Sequence, residues 1–131
     1  MMLGDFDAGR NLLIVFSDGL DTSSWLSADR VLESATLSEV VVYGVSVRGP
    51  AKPQFLRDLG DITGGAVFEI ESTRELSDTF LRVLDEFRQR YLVSYVPRGV
   101  SREGWHRLEV RIKGQRATVR ARAGYQAAAR R

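Results

Sequence analysis

The chain has 131 residues, enough for one domain with a single hydrophobic core. Hydrophobic residues make up 44% and charged residues 27% of the sequence, and no apolar run approaches the roughly 18 residues that a membrane span requires. The sequence contains no cysteine, which excludes disulfides and thiolate metal sites. Its single histidine leaves little material for a zinc site or a histidine-assisted nucleophile.

The net charge of +2 is unevenly distributed along the chain. Residues 1–97 carry 9 basic and 15 acidic side chains, whereas residues 98–131 carry 10 basic and 2 acidic ones. A basic C-terminal segment has two interpretations: it contacts nucleic acid or acidic lipid, or its arginines are solvated on the outer face of a sheet. We favour the second interpretation, because it requires no partner.

Three short, largely apolar runs, of which residues 12–16 are continuously apolar, predict strands that are buried on both faces. They span residues 12–16, 40–47 and 66–70 and are separated by stretches with helical periodicity. Strands and helices that alternate in this order predict a parallel, doubly wound sheet with right-handed crossovers.

The two helices between these strands have recognisable ends. Ser24 or Ser27 is the expected N-cap of the first helix. Pro53 suits the first position of the second helix, and Gly64-Gly65 supplies the left-handed residue that ends it. The apolar stripe of the first helix consists of Leu26, Val31, Leu32 and Ala35.

A third helix is predicted over residues 73–90. Ser72 and Glu75 have the spacing of a capping box, which marks the start of this helix. Apolar residues at steps of three and four predict one buried face. They are Leu76, Phe80, Val83, Leu84 and Phe87.

Beyond residue 90 the apolar period changes from 3.6 to 2, which predicts three strands. The first covers residues 91–96. Residues 105–113 and 117–125 are expected to form a half-buried antiparallel hairpin. Leu108, Val110 and Ile112 are expected on its buried face, with Arg120 and Arg122 facing solvent.

Several passages resemble von Willebrand factor A-type (VWA) domains. Residues 17–19 (Ser-Asp-Gly), followed by residues 21–23 (Asp-Thr-Ser), are similar to the family's fourth-strand motif, whose aspartate helps to hold a divalent cation. Residues 41–47 resemble the next strand, and residues 55–68 resemble the passage into the sixth strand. The resemblance implies a Rossmann-like α/β fold and a role in protein–protein contact.

The resemblance extends to a bacterial subgroup of VWA-related proteins with a C-terminal β extension. Residues 88–97 and 119–125 are similar to the subgroup's last helix-to-strand passage and to its ending, so the similar passages cover about residues 11–126. The family's first strand, which ends in Asp-x-Ser-x-Ser and supplies most metal contacts, has no counterpart here. We therefore expect the chain to be the C-terminal half of such a domain and a fragment of a longer protein.

The loop after the first predicted strand is the candidate site. Asp18 and Asp21 are its candidate metal ligands, and Ser17, Thr22 and Ser23 are candidate binding residues beside them. A magnesium ion prefers about six oxygen ligands, so one such loop is expected to bind it only weakly unless another polypeptide supplies the missing half-site. The alternative, which we favour for the chain alone, is that both aspartates cap the turn and the following helix.

The sequence therefore predicts a non-enzymatic protein-binding module with an incomplete metal-ion-dependent adhesion site and no cofactor of its own. Residues 1–90 are the expected partial VWA-like domain, and residues 91–131 the basic β extension packed on it. His106 is expected to be solvent-exposed, and no acid–base pair or nucleophile system is visible. A basic nucleic-acid-binding accessory domain is the alternative.

The partner of such a module is not identified by the sequence. The apolar strand at residues 12–16 has no first strand to pair with, so self-association through this strand is expected. The N-terminal residues have no signal-peptide pattern, which predicts a cytoplasmic location, or export if the chain is part of a longer signal-bearing protein.

Overall fold

The computed structural model describes residues 11–17, 27–49, 53–101 and 103–127. The predicted apolar strands and helices are confirmed there within one to three residues at their ends. In chain order the elements are β1 (Asn11–Ser17), α1 (Ala28–Leu37), β2 (Val40–Val47), α2 (Gln54–Thr63), β3 (Ala66–Ile70), a 3₁₀ turn (Thr73–Glu75), α3 (Leu76–Arg88), β4 (Gly104–Arg107) and β5 (Gly124–Ala127).

The first three strands form a parallel sheet in the order β1-β2-β3. β1 lies beside β2 with Asn11 opposite Val40 and Ser17 opposite Ser46. β2 is the central strand, and its middle residues are buried, as the continuous apolar run predicted. Among the described residues, β1 is therefore an edge strand with a neighbour on one side only.

Helices cover both faces of this sheet, because alternate residues of β2 contact different helices. On one face Val42 packs in a cluster with Ala35 of α1 and Leu59 of α2. On the other face the hydroxyl of Tyr43 donates a hydrogen bond to Glu86 of α3 at 2.9 Å. The α/β part of the chain is thus a three-layer arrangement of helices, sheet and helix.

α2 ends where its backbone comes very close to β2. Gly64 follows α2 in the left-handed conformation, with φ of 78°, and a Cβ on Gly65 would lie only 1.8 Å from the carbonyl oxygen of Val42. The buried Thr63 accepts a hydrogen bond from the Val42 N–H at 3.0 Å and donates one back to its own helix at 2.8 Å. The two glycines therefore end the helix, as predicted, and also allow the close approach.

The predicted N-caps have different outcomes. The capping box of Ser72 and Glu75 is confirmed, and it opens the 3₁₀ turn that leads into α3. Ser27 occupies the N-cap position of α1, although its side chain makes no cap hydrogen bond, and Ser24 lies outside the described residues. Pro53 is the N-cap of α2 rather than its first helical residue.

The C-terminal extension contains less β-structure than predicted. β4 and β5 pair antiparallel, with His106 opposite Tyr125, so the pairing of the two predicted arms is confirmed at the open end of the hairpin. Within the described residues, however, no strand forms over residues 91–96 or over residues 108–122. The prediction of three strands in this region is wrong.

The two arms of the hairpin separate beyond β4 and β5. A gap of about 600 Å³ lies between residues 110–112 and 115–119. Val110 and Ile112, which were expected on a buried face, are both exposed. A hairpin is half-buried only where a second layer covers it, and the described residues supply no such layer at this end of the extension.

Candidate functional site

The carboxyl ends of the three parallel strands lie along one edge of the sheet, which is where open α/β folds hold ligands. β1 ends at Ser17, in register with Ser46 of β2. Arg48 directly follows β2, and Glu71 directly follows β3. The described residues thus place two hydroxyls and one pair of opposite charges at this edge.

The charged pair at the edge is an ion pair between two largely exposed side chains. The guanidinium of Arg48 contacts the carboxylate of Glu71, and the Arg48 N–H donates to the carbonyl of Ile70 at 2.7 Å. An exposed pair of this kind contributes about 0–1 kcal/mol to stability. The pair also makes Glu71 a weaker ligand for a cation, because the positive charge of Arg48 offsets that of the carboxylate.

Arg48 and Glu71 were missed in the sequence, although a signal was available. Each is a charged residue immediately after a predicted strand, and the carboxyl ends of parallel strands share one edge. The signal was the position of these residues at strand ends and not a sequence motif, because neither residue belongs to the passages that resemble VWA domains.

Only one of the predicted site residues lies in the described part of the chain. Ser17 is half-buried at the carboxyl end of β1, as predicted. Asp18, Asp21, Thr22 and Ser23 lie outside the described residues, so the structure does not place them. In the ranges that are described, no group of three or more His, Asp or Glu side chains could hold a metal ion.

A polar network lies between the sheet and α3. Glu86 accepts hydrogen bonds from the Tyr43 hydroxyl and from the guanidinium of Arg120, and Arg90 donates to the Tyr43 oxygen at 3.0 Å. Burial raises the pKa of Tyr43, and the bond to Glu86 raises it further. Within this network, the bond from Arg120 to Glu86 joins the extension to α3.

Arg122 also packs back onto the α/β part of the chain. Its half-buried guanidinium donates to the last carbonyls of α1, and burial lowers its pKa. The last turn of α1 contains no basic residue of its own, so Arg122 supplies the cation that a helix C-terminus favours. The acceptors are the carbonyls of Ala35 (3.2 Å), Thr36 (3.1 Å) and Ser38.

These contacts overturn one expectation from the strand pattern. Arg122 was predicted to face solvent and is instead half-buried against the end of α1. Arg120 is exposed, as predicted, and its guanidinium also contacts Glu86 of α3. The alternating pattern carried no information about which part of the fold lies beside these side chains.

Aromatic side chains of the extension cluster around Tyr125. The ring of His106 stacks on it with centroids 5.0 Å apart, and the ring of Tyr95 meets it edge-on at 6.3 Å. The indole of Trp105 occupies the space beside Gly124 that a larger residue would need. The expectation of a solvent-exposed His106 is wrong, since its Nε2 is buried and has no hydrogen-bond partner among the described residues.

Other aromatic and basic side chains of the extension remain at the surface. Tyr91 is almost fully exposed and Trp105 is partly exposed. Exposed aromatic rings among cations are the elements of a surface that stacks unpaired bases. The exposed basic residues near them in sequence are Arg98, Arg107, Lys113 and Arg116.

No family model matches the chain, and no curated protein matches it. A solved structure, that of an uncharacterised membrane-spanning protein from Vibrio fischeri, is similar, with a TM-score of 0.52 and 20% sequence identity. The similarity covers 60% of this chain and 48% of that one, so the chain spans about half of the protein it matches. A likeness at this identity concerns the fold alone. Within the ranges described for this chain, no helix has the length and apolarity needed to cross a bilayer.

Proposed function

We propose that the chain is a non-enzymatic protein-binding module of the VWA type with an incomplete metal-ion-dependent adhesion site. The observation that carries the proposal is the parallel sheet with helices on both faces, whose edge strand ends at Ser17, immediately before Asp18. The carboxyl edge of such a sheet is the usual ligand site of α/β folds. The resemblance of residues 17–23 to the VWA motif suggests what this edge would bind, namely a divalent cation held by oxygen ligands.

The number of oxygen ligands determines how such a site would behave. Magnesium requires about six oxygens in near-octahedral geometry. Asp18 and Asp21 offer carboxylates, and Ser17, Thr22 and Ser23 offer only neutral hydroxyls. Glu71 at the same edge is already paired with Arg48. The remaining positions would be filled by water, or by a polypeptide that carries the missing Asp-x-Ser-x-Ser strand, and only the second arrangement gives tight binding.

Magnesium titration followed by calorimetry tests this proposal. For the chain alone we expect no saturable binding below millimolar concentration. Adding a polypeptide that carries the Asp-x-Ser-x-Ser strand is expected to bring binding into the micromolar range, and Asp18→Ala is expected to abolish it. Asp61→Ala, an exposed change on α2, is the matched control and should have no effect.

Two results would contradict the proposal. Micromolar binding by the chain alone that Asp18→Ala abolishes would show that the site is complete without a second polypeptide. No gain in affinity after the missing strand is added would show that the loop after β1 is only a turn, with Asp18 and Asp21 as capping residues.

The alternative function is binding of single-stranded nucleic acid by the extension. The exposed rings of Tyr91 and Trp105, together with the exposed basic residues named above, favour it. Arg120 and Arg122 weaken it, because both are engaged within the protein. Fluorescence anisotropy with a labelled oligothymidylate at low salt separates the two functions: a flat signal excludes this one, whereas salt-sensitive binding lost in Trp105→Ala supports it.

A further inference from the structure

The hairpin of the extension has two arms, residues 108–113 and 117–123, that are paired only where they begin. The N–H of Leu108 donates to the carbonyl of Ala123 at 2.9 Å, next to the pairing of β4 with β5. Beyond this bond, no backbone hydrogen bond joins the two arms among the described residues. Both arms therefore offer unpaired backbone groups, with which an extended chain binds a further strand.

The gap between the arms has room for a short extended segment. Its volume is about 600 Å³. A strand residue takes up roughly 160 Å³, which is the product of the rise along the strand, the spacing between strands and the thickness of a sheet layer, so about four residues fit. A strand placed there runs antiparallel to one arm and parallel to the other and can pair with both.

The charge of the arms favours an acidic occupant. Residues 109–119 carry three basic side chains, those of Arg111, Lys113 and Arg116, and one acidic side chain, that of Glu109, which is already paired with Arg111. Among the described side chains, none forms an ion pair with Lys113 or Arg116. Carboxylates are therefore the groups that complement this surface.

The apolar residues of the arms define a second property of the occupant. Val110 and Ile112 alternate with Arg111 along one arm, and both are about half exposed. Val119 lines the other side of the gap. An extended segment places successive side chains on opposite faces, so a segment in which acidic and apolar residues alternate matches the arms on both faces.

A single strand of nucleic acid matches the gap less well than a peptide does. Among the described residues that line the gap, none is aromatic, so bases have no ring on which to stack. The rings of Trp105 and Tyr125 belong to β4 and β5, at the paired end of the hairpin.

We infer that the gap between the two arms binds an extended segment of a partner protein in which acidic and apolar residues alternate. The segment pairs its backbone with both arms, and its carboxylates lie beside Arg111 and Arg116. The inference goes beyond the proposed function, because it concerns the extension and not the carboxyl edge of the parallel sheet.

Fluorescence anisotropy with a labelled six-residue peptide of alternating glutamate and valine tests the inference. A chelator is present, so that no magnesium reaches the loop after β1. The chain is expected to bind this peptide saturably below about 100 μM. Two control peptides, one with the same residues in two blocks and one with lysine in place of glutamate, should bind at least about tenfold more weakly. Equal binding of the three peptides, or no binding of the first, would overturn the inference.

Matched variants locate the binding surface. Arg116→Glu is expected to raise the dissociation constant at least about tenfold, whereas Arg98→Glu, the same change at an exposed position outside the gap, should leave it within about twofold. Val119→Pro removes a backbone donor from one arm and should also weaken binding, unlike Val93→Pro in the exposed segment 91–96. A loss of affinity that variants and controls share would contradict the site. Circular dichroism of each variant confirms that it is folded.

Hydrogen exchange followed by mass spectrometry tests the pairing of the backbone itself. Amides of residues 109–113 and 117–121 should gain protection when the peptide is bound, and unchanged exchange there would overturn the inference. Displacement of the peptide by an oligothymidylate would show that the gap is a nucleic-acid site. A gain in affinity of about tenfold in the double variant Asp5→Asn, Asp7→Asn would show that residues 1–10 of the chain itself occupy the gap. Either result would overturn the inference, and neither changes the result expected for the magnesium titration.

Discussion

Replacing Arg122 by methionine is expected to destabilise the whole chain. The guanidinium donates hydrogen bonds to the carbonyls of Ala35 and Thr36 in the last turn of α1 and of Ser38, its C-cap. Carbonyls at a helix end receive no bond from the helix backbone, and here only that of Ala35 has a second donor, the Ser38 hydroxyl at 3.1 Å. Methionine has a similar length and fills the same space with an apolar chain. The change therefore removes the charge and the donors and leaves most of the packing.

The expected size of the effect follows from these contacts. A cation at a partly buried helix C-terminus contributes up to about 2 kcal/mol. A hydrogen bond from a charged donor contributes about 1.5–3 kcal/mol, but three bonds from one guanidinium are not additive. Water reaches part of the half-buried site and satisfies some of the freed carbonyls. We therefore expect Arg122→Met to lower the free energy of unfolding by about 2 kcal/mol.

Urea unfolding followed by circular dichroism measures this loss. Arg116→Met is the matched control, because it removes one positive charge from an exposed position of the same extension. Arg122→Lys keeps the charge but not the planar fork and should lose about half as much stability. If Arg122→Met and Arg116→Met lie within about 0.5 kcal/mol of each other, the cap is not a stabilising contact and the reasoning fails.

Two further predictions concern the centre of the sheet. Thr63→Val leaves the buried Val42 N–H without an acceptor and is expected to cost about 2 kcal/mol in urea unfolding, whereas Thr63→Ser, which keeps the hydroxyl, should cost about half of that. The reverse order would show that the methyl group matters more than the hydrogen bond. The pKa of Tyr43 lies above its ordinary value of 10.0 in the folded chain, so the stabilisation is present below about pH 10 and is lost as pH rises through the folded pKa. Wild type should therefore lose more stability than Tyr43→Phe between about pH 9 and pH 11, and parallel pH profiles would contradict the role of this hydroxyl.

The α/β part was predictable because its sequence patterns report local conditions. A strand covered on both faces needs a largely apolar run, and residues 40–47 have one, as do residues 66–70 apart from Glu69. The end of α2 was equally visible, because few residues other than glycine adopt the conformation of Gly64. These features depend on a residue and its immediate neighbours.

The wrong predictions have a common physical origin. The periodicity of apolar residues identifies one face of a helix or strand, but it does not identify what packs against that face. Phe80 lies on the apolar stripe of α3 yet is 42% exposed, because among the described strands none lies beyond β1 to cover it. Residues 91–96 alternate like a strand but have no strand beside them in the described structure. Arg122 and its acceptors at the end of α1 are more than 80 residues apart in sequence. Local sequence patterns do not predict contacts over such a separation.

The candidate site was predictable to a similar extent. The position of Ser17 at the carboxyl end of a parallel strand followed from the first apolar run and its Ser-Asp-Gly ending. The position of Arg48 and Glu71 at the same edge could have been predicted from the strand ends, but their ion pair could not, because it depends on β2 and β3 being neighbours. Strand order depends on the packing of all three layers, so no single motif predicts it.

The contacts of the extension with two helix ends also have a consequence for synthesis of the chain. The N–H of Ala123 donates to the carbonyl of Ile62 in α2 at 3.4 Å, one residue after Arg122 reaches the end of α1. Residues of the extension therefore complete helices that are synthesised before them. Both helices have open ends until residues 122 and 123 have left the ribosome, so the sheet can begin to form earlier but reaches full stability only then.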